Sequence, residues 1–173
     1  MPRRSLPLAA LVLAGALLGA SLLGERGRDP GTGTAGDGAG TRARVVRVVD
    51  GDTVRVRLDG REEPLRYIGI DTPETKRPNT PVQCFGRRAD ERNRRLVADR
   101  SVRLRFDVER RDRYGRLLAY VYREPDGLFV NAALLREGYA QPLTVPPNVA
   151  HGREFSRLAG QARRAGRGLW SAC

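Results

Sequence analysis

The sequence is poor in the side chains that most often bind zinc or serve as a catalytic base. It contains one histidine, His151, and two cysteines, Cys84 and Cys173, in 173 residues. Zinc sites are commonly built from four histidine or cysteine ligands, so three such side chains argue against one. His151 follows a proline-containing loop and has no evident catalytic partner near it in the sequence. We therefore expect neither zinc chemistry nor general-base catalysis by histidine.

Lysine is equally scarce, although the protein is strongly basic. Lys76 is the only lysine among 32 basic residues, and the formal net charge is +12 at pH 7. Guanidinium groups bind phosphate through two parallel hydrogen bonds, so this excess of arginine favours a polyanionic partner such as nucleic acid. A generally basic, solvated surface would have the same composition, and charge alone leaves both interpretations open.

The N-terminal segment differs in composition from the rest of the chain. A pair of arginines precedes an apolar run over residues 6–23, a pattern typical of a secretory signal peptide or an uncleaved membrane anchor. We expect residues 1–24 to have one of these roles, so that the protein is secreted or anchored at the outer face of the cytoplasmic membrane. Residues 25–42 are rich in glycine and predict a flexible linker, and residues 43–173 predict the folded domain.

The two cysteines bear on the same question of location. An even number of cysteines in an exported protein favours a disulfide, here between Cys84 and Cys173. Two free thiols are the alternative. A bond between these residues would tie the end of the chain to the middle of the domain.

The folded domain has the pattern of a mainly β protein with some helix. Strands are predicted over residues 45–49, 54–58, 65–70, 102–106 and 117–122, and helices over residues 87–99, 130–137 and 154–165. In the second strand, Val54, Val56 and Leu58 alternate with arginines, which indicates one buried and one solvated face. Five short strands with a helix after the third predict a small closed β-barrel of the oligonucleotide-binding type with about three helices.

Two short segments place carboxylates at the ends of predicted strands. Residues 49–54 read Val-Asp-Gly-Asp-Thr-Val, and residues 66–75 read Arg-Tyr-Ile-Gly-Ile-Asp-Thr-Pro-Glu-Thr. Their carboxylates are Asp50, Asp52, Asp71 and Glu74. In a basic protein such a concentration indicates a hard metal ion acting on a phosphate, because carboxylates bind the cation while the cation and arginines bind the phosphate. For the first segment alone, a simple Asp-Gly turn is the alternative.

Together with four further motifs, these segments resemble the thermonuclease family, the staphylococcal-nuclease-like enzymes. The further motifs are Asp-Arg-Tyr-Gly-Arg-Leu-Leu-Ala-Tyr-Val-Tyr at 112–122, Val-Asn-Ala-Ala-Leu-Leu-Arg-Glu-Gly-Tyr-Ala at 130–140, Pro-Pro-Asn at 146–148 and Gly-Leu-Trp-Ser at 168–171. The resemblance covers residues 45–171, nearly the whole predicted domain. It implies a Ca²⁺-dependent phosphodiesterase that hydrolyses DNA and RNA and leaves 3′-phosphate ends. We expect it to act as a monomer.

The resemblance also implies a set of metal ligands. Asp52 and Asp71, already the best candidates as hard oxygen ligands from separate strand ends, would bind Ca²⁺ together with the backbone carbonyl of Thr72. Asp50 would lie beside the metal rather than bind it directly.

Four more residues match the family's catalytic and substrate-binding positions. Glu74 would act as the general base or orient the attacking water, and Arg66 and Arg116 would stabilise the negative charge that develops on the phosphate. Tyr114 would stack on a base or donate a hydrogen bond to a phosphate. The chain departs from the pattern at residues 143–145, where Leu-Thr-Val replaces the further tyrosines of the best-known member. This difference predicts weaker nucleotide affinity or a changed base preference.

Two other classes of function remain open at this stage. The first is a non-catalytic basic barrel that binds nucleic acid, although the presence of Arg66, Asp71, Glu74 and Arg116 favours the enzyme. The second is a secreted adhesion protein that contacts anionic polymers, which would leave the carboxylate cluster unexplained.

Overall fold

The computed structural model describes residues 40–76 and 81–173. The predicted signal peptide or anchor and most of the predicted linker, residues 1–39, lie outside the described residues, as does the segment 77–80. Within the two described ranges, no helix combines the length and the apolar composition that crossing a bilayer requires.

The described residues fold around a closed barrel of five strands. The described residues contain seven strands, of which β4 and β7 lie outside the barrel: β1 (Thr41–Val48), β2 (Thr53–Leu58), β3 (Arg61–Tyr67), β4 (Ile70–Asp71), β5 (Ser101–Arg105), β6 (Leu117–Arg123) and β7 (Gln141–Pro142). Their helices are α1 (Gly86–Val97), α2 (Val130–Arg136), α3 (Gly152–Arg164) and α4 (Leu169–Ala172). The barrel order is β1-β2-β3-β6-β5, with β5 pairing back to β1. Only the β3–β6 pair is parallel within this barrel. The predicted fold class is confirmed.

The barrel interior is filled by the apolar residues that alternate along its strands. Val45 lies opposite Val56, and Val54 lies opposite Leu65, and all four side chains are fully buried. Between the inward positions of β2 lie arginines with solvent access, as the alternation predicts. The interior is therefore a packed core, and any binding site must lie on the surface of the barrel.

Helix α1 presents a partly polar face to the barrel. Its apolar residues Ala89, Leu96 and Val97 are buried. Asp90 and Asn93 are buried as well. Because buried polar groups need hydrogen-bond partners, these two residues indicate that α1 supports neighbouring loops as well as the core.

The predicted third strand, residues 65–70, is interrupted in the structure. Strand β3 ends at Tyr67, and β4 forms a separate two-stranded sheet with β7. Gly69 makes the turn possible, because its φ is +79° and a Cβ there would lie 2.6 Å from a ring carbon of Phe155. Asp71 therefore lies on the small second sheet rather than at the end of a barrel strand.

The end of the chain is fastened to the domain at two places. The predicted disulfide between Cys84 and Cys173 is present. The short helix α4, which the sequence did not predict, begins where the Leu169 N–H donates to the carbonyl of Gly138 at 2.9 Å. In α4, Trp170 packs under the guanidinium of Arg163, which is 5.7 Å from the ring centroid. The last residues are thus held to the segment before α1, to the residues after α2 and to α3.

Candidate active site

A polar cavity of about 200 Å³ lies between the β1–β2 turn, β4 and the loop that precedes β6. It collects all seven residues for which the sequence predicted a metal-binding or catalytic role: Asp50, Asp52, Arg66, Asp71, Thr72, Glu74 and Arg116. Thr53, Pro73 and Thr75 complete its lining. Residues up to 66 positions apart in sequence therefore meet in one site, four of them carboxylates and two of them arginines.

Asp52 is the most firmly held of the carboxylates. Its side chain is buried, and Oδ2 accepts hydrogen bonds from the Thr72 N–H at 2.7 Å and from the Thr72 hydroxyl at 2.9 Å. Oδ1 accepts from the Thr53 hydroxyl at 3.1 Å and forms an ion pair with Arg66. A buried carboxylate is stable only with such partners, so the position of this negative charge is fixed by the fold.

The β1–β2 turn lies directly against the loop that follows β4. A Cβ at Gly51 would lie 2.7 Å from the hydroxyl oxygen of Thr72, so only glycine permits this approach. Within the turn, the Asp52 N–H donates to Asp50 Oδ1 at 3.1 Å. The requirement for close approach explains why a glycine separates the two aspartates.

Helix α1 supports the same turn from the other side. The Asn93 side-chain amide donates to the backbone carbonyl of Asp50 at 2.9 Å, and the Tyr67 hydroxyl donates to Asn93 Oδ1 at 3.1 Å. Burial raises the pKa of the Asp50 carboxyl, and nearby Glu74 acts in the same direction, against the opposing effect of a hydrogen bond from Thr53. The turn is thus a rigid, partly desolvated element.

Arg66 contacts two of the four carboxylates, Asp52 and Asp71. It lies in β3, and its Nη2 donates to Asp71 Oδ1 at 2.8 Å and to the Ile70 carbonyl at 3.2 Å. Its Nη1 forms the ion pair with Asp52. Burial lowers the pKa of this guanidinium, and the charges of Asp71 and Asp50 oppose that effect. The side chain remains a cation held in one orientation.

Glu74 is held by hydrogen bonds to its side chain and to its backbone. Its Oε1 accepts from the N–H groups of Thr75 at 2.9 Å and Lys76 at 2.6 Å. Its own N–H donates to the side chain of Gln83 at 2.8 Å. The Thr75 hydroxyl donates to Asp90 Oδ2 at 2.9 Å, which ties the loop to α1.

Arg116 reaches the cavity from a turn rather than from a strand. Asp112 accepts hydrogen bonds from the N–H groups of Tyr114 and Arg116 through Oδ1 and from Arg116 Nε through Oδ2 at 2.7 Å. Burial would raise the pKa of Asp112, but the hydrogen bonds from Arg116 and Tyr114 together lower it. Asp112 therefore stays ionised and orients Arg116.

Tyr114 lies outside the polar cavity, beside a more apolar one of about 460 Å³. The two cavities share Arg66 and Arg116, so the second continues from the first. Tyr114 is 68% exposed, and the Arg116 guanidinium lies 5.6 Å from its ring centroid. Leu143 and Val145, from the segment where the sequence departs from the family pattern, line the same cavity. Aliphatic side chains and Tyr114 therefore line the same cavity.

The donor chemistry of the polar cavity fits a hard divalent cation. Four carboxylates against two guanidinium groups leave an excess of two negative charges, and oxygen is the donor that Ca²⁺ and Mg²⁺ prefer. Among residues 40–76 and 81–173, no three histidine, cysteine, aspartate or glutamate side chains form a ready-made ligand cluster. Asp52 and Asp71 both contact Arg66 instead, and these two aspartates are the candidates for binding a cation.

Comparison with known proteins supplies the family. The family model described as "Staphylococcal nuclease homologue" matches residues 64–172, more than half of the chain. The chain belongs to the staphylococcal nuclease homologue family. The resemblance predicted from the motifs is thereby confirmed.

Curated members of the staphylococcal nuclease family align over most of the chain. The thermonuclease of Staphylococcus hyicus is 41% identical over 128 residues, which cover 74% of this chain and 75% of that protein. The thermonuclease of Staphylococcus intermedius is 40% identical over 126 residues, covering 73% and 74%. The SPbeta prophage-derived endonuclease YokF of Bacillus subtilis (strain 168) is 45% identical over 127 residues, covering 72% of this chain but only 42% of that protein.

Several supporting residues of this staphylococcal nuclease homologue were not found from the sequence. Asn93 and Gln83 hold the Asp50 turn and the Glu74 backbone from distant positions, and neither belongs to a motif with chemical meaning. Asp112 carried a signal, since it precedes Arg116 by four residues within the 112–122 motif, but no role was predicted for it. His151 is not among the residues that line either cavity.

Proposed function

We propose that this protein is a Ca²⁺-dependent nuclease that hydrolyses phosphodiester bonds of DNA and RNA. The observation that carries the proposal is that a single cavity holds two arginines and four carboxylates, including Glu74. Membership of the nuclease family and the nuclease activities for which its relatives are named support it. The net charge of +12 supports a polyanionic substrate.

The arginines would bind the scissile phosphate. Arg66 and Arg116 both line the cavity, one fixed by Asp71 and the other by Asp112. Hydrolysis places additional negative charge on the non-bridging oxygens of the phosphate, and guanidinium groups that are already oriented stabilise that charge without reorganisation. Tyr114, beside Arg116, would contact the adjoining nucleotide.

Glu74 would accept a proton from the attacking water. The water oxygen forms a bond to phosphorus, and its proton passes to the Glu74 carboxylate. The bond between phosphorus and the 5′ oxygen breaks, and that oxygen takes up a proton from solvent. The products are a 3′-phosphate and a 5′-hydroxyl, as the resemblance to the family implies. The backbone bonds to Glu74 Oε1 orient the carboxylate for this step.

A divalent cation would be held by Asp52, Asp71 and the backbone of Thr72, with Asp50 beside it. When bound, such an ion supplies electrostatic stabilisation of the phosphate and lowers the pKa of water. The firm hydrogen bonds to Asp52 keep that carboxylate in place for the purpose.

The test is cleavage of a labelled single-stranded DNA by the purified full chain, with Ca²⁺ and with excess EGTA. We expect cutting only with Ca²⁺, and a fall in kcat of about 10³-fold in Glu74→Gln, because general-base catalysis contributes roughly that much. The matched control is Glu91→Gln, since Glu91 is an exposed carboxylate on α1 that pairs with Arg95. The control is expected to keep the wild-type rate.

Two results would contradict this function. Salt-sensitive binding of DNA without cleavage under any metal would indicate a binding module instead. Cleavage that is equal in wild type and Glu74→Gln would show that the reaction does not use this cavity.

We also propose that the nuclease is monomeric and exported, and either released or retained at the outer face of the cytoplasmic membrane through residues 6–23. The arginine pair and apolar run at the N-terminus support export. Fractionation of cells expressing the full chain tests it, with activity expected in the medium or on protease-accessible membranes. Activity confined to the cytoplasm would contradict export, and a dimer mass in light scattering would contradict the monomer.

A further inference from the structure

The backbone of Glu74 is paired with a residue for which the proposed reaction gives no role. The Glu74 N–H donates to the side-chain Oε1 of Gln83 at 2.8 Å, and the Gln83 N–H donates back to the Glu74 carbonyl at 2.9 Å. This reciprocal pair fixes the peptide groups on both sides of the Glu74 side chain. The orientation of the carboxylate therefore depends on where Gln83 lies.

The segment that contains Gln83 is anchored on three sides. The Gly86 N–H donates to the Gln83 carbonyl at 3.0 Å at the start of α1. Cys84 is bonded to Cys173, and the rings of Phe85 and Tyr139 lie 5.3 Å apart. These contacts join the segment to α1, to the residues after α2 and to the end of the chain.

The segment also packs against the loop that carries Glu74. A Cβ at Gly86 would lie 2.6 Å from Thr75 Cγ2 and 3.0 Å from the carbonyl oxygen of Pro73, so the start of α1 lies in close contact with that loop. A displacement of residues 83–86 would therefore be transmitted to Glu74 and to the N–H groups that its Oε1 accepts from.

The disulfide lies next to the hydrogen bond between Gln83 and Glu74 and restrains the segment that contains it. Gln83 and Cys84 are exposed, so water competes for the Glu74 N–H. A hydrogen bond at an exposed position persists only where its partners are already held close together. The covalent bond from Cys84 to Cys173 restrains the backbone beside Gln83.

We propose that Gln83, braced by the Cys84–Cys173 disulfide, is a positioning residue for Glu74. This inference rests on the proposed function, because it concerns the rate of the hydrolysis that Glu74 would assist. A displacement of about 1 Å in a catalytic group can cost roughly 10²-fold in rate, so a brace of this kind affects kcat rather than substrate binding.

The test compares two variants of the full chain by their steady-state kinetics on single-stranded DNA with Ca²⁺. Gln83→Met keeps the length of the side chain but removes the acceptor oxygen, and we expect kcat to fall at least tenfold with KM within twofold. Gln83→Glu retains an acceptor oxygen, and we expect kcat within threefold of wild type. Gln161→Met, an exposed glutamine on α3, is the matched control and is expected to behave as wild type.

Wild-type cleavage that depends on Glu74 establishes the function independently of these variants, so the two proposals fail separately. A kcat for Gln83→Met within twofold of wild type, or equal losses in Gln83→Met and Gln83→Glu, would overturn the positioning role. If Gln83→Met does not fold, Gln83→Asn replaces it, because the shorter side chain keeps the amide but withdraws it from Glu74. A wild-type kcat in Gln83→Asn would overturn the role.

The contribution of the disulfide is measured in a double variant, Cys84→Ser with Cys173→Ser, below its unfolding temperature. We expect kcat per folded molecule to fall at least threefold with KM unchanged. A double variant with the wild-type kcat would overturn the part of the disulfide in the brace.

Discussion

The two arginines of the cavity are held by different kinds of structure. Arg66 lies on a barrel strand, its side chain is 15% exposed, and it contacts two carboxylates and a backbone carbonyl. Arg116 lies in a turn, its side chain is 34% exposed, and its one carboxylate partner, Asp112, belongs to the same turn. The first arginine is therefore a structural part of the domain, whereas the second depends on local contacts that can change without affecting the core.

This difference predicts that loss of Arg66 harms both stability and activity, whereas loss of Arg116 harms activity alone. Removing one partner of a buried ion pair leaves an uncompensated charge, while a partly exposed pair contributes little to stability. The variants below test that contrast in order of decreasing effect.

The largest effect is expected for Arg66→Ala. Asp52 would lose its buried cationic partner, and we expect the free energy of unfolding to fall by about 3 kcal/mol. We also expect kcat to fall by about 10³-fold, since preorganised charge stabilisation is lost. Urea denaturation and single-stranded DNA cleavage measure the two effects. Arg66→Lys, which keeps the charge but not the two-pronged geometry, should recover part of the stability and little of the rate.

A smaller and separable effect is expected for Arg116→Ala. We expect kcat to fall by about 10²-fold. The free energy of unfolding should change by less than about 0.5 kcal/mol, because the pair with Asp112 is local and partly exposed. The same two measurements apply. Equal losses of stability in Arg66→Ala and Arg116→Ala would contradict the contrast between the two positions.

The smallest effect concerns Asp112 and depends on pH. Its pKa lies below the ordinary value of 3.8, so its contribution to stability is present above that value and is lost as the pH falls through the folded-state pKa. We expect wild type to exceed Asp112→Asn in unfolding free energy by about 1 kcal/mol at neutral pH. This difference should shrink as the pH falls below 3.8 and vanish below the folded-state pKa, as followed by urea denaturation at several pH values. A difference that persists in acid would show that Asp112 acts without its charge.

Much of the fold was predictable because the barrel strands follow simple alternation. Val54 and Val56 point inward where the pattern places them, and the five barrel strands lie where they were predicted within a few residues. The pairing of β4 with β7 could not be predicted, because two-residue strands have no periodicity. The break at Gly69 was missed because the contact that requires a glycine there, with the ring of Phe155, comes from a residue 86 positions away.

The candidate site was predictable to the extent that its residues lie in short motifs. Asp50, Asp52, Asp71 and Glu74 belong to two segments, and the structure brings them together with Arg66 and Arg116. The groups that orient them were not predictable. Gln83 and Asn93 act through hydrogen bonds to backbone atoms. Every residue has such backbone groups, so the sequence does not indicate which of them a side chain will contact.

The pairing of β1 limits where a protease can cut the chain and still leave the barrel intact. Residues 41–44 pair with β5, so they close the barrel rather than lead into it. A protease that cut beyond Arg44 would leave the edge of β5 open, and open edges pair with other chains. Proteolytic release of an active, soluble domain therefore requires a cut before Thr41, and shorter fragments are expected to aggregate.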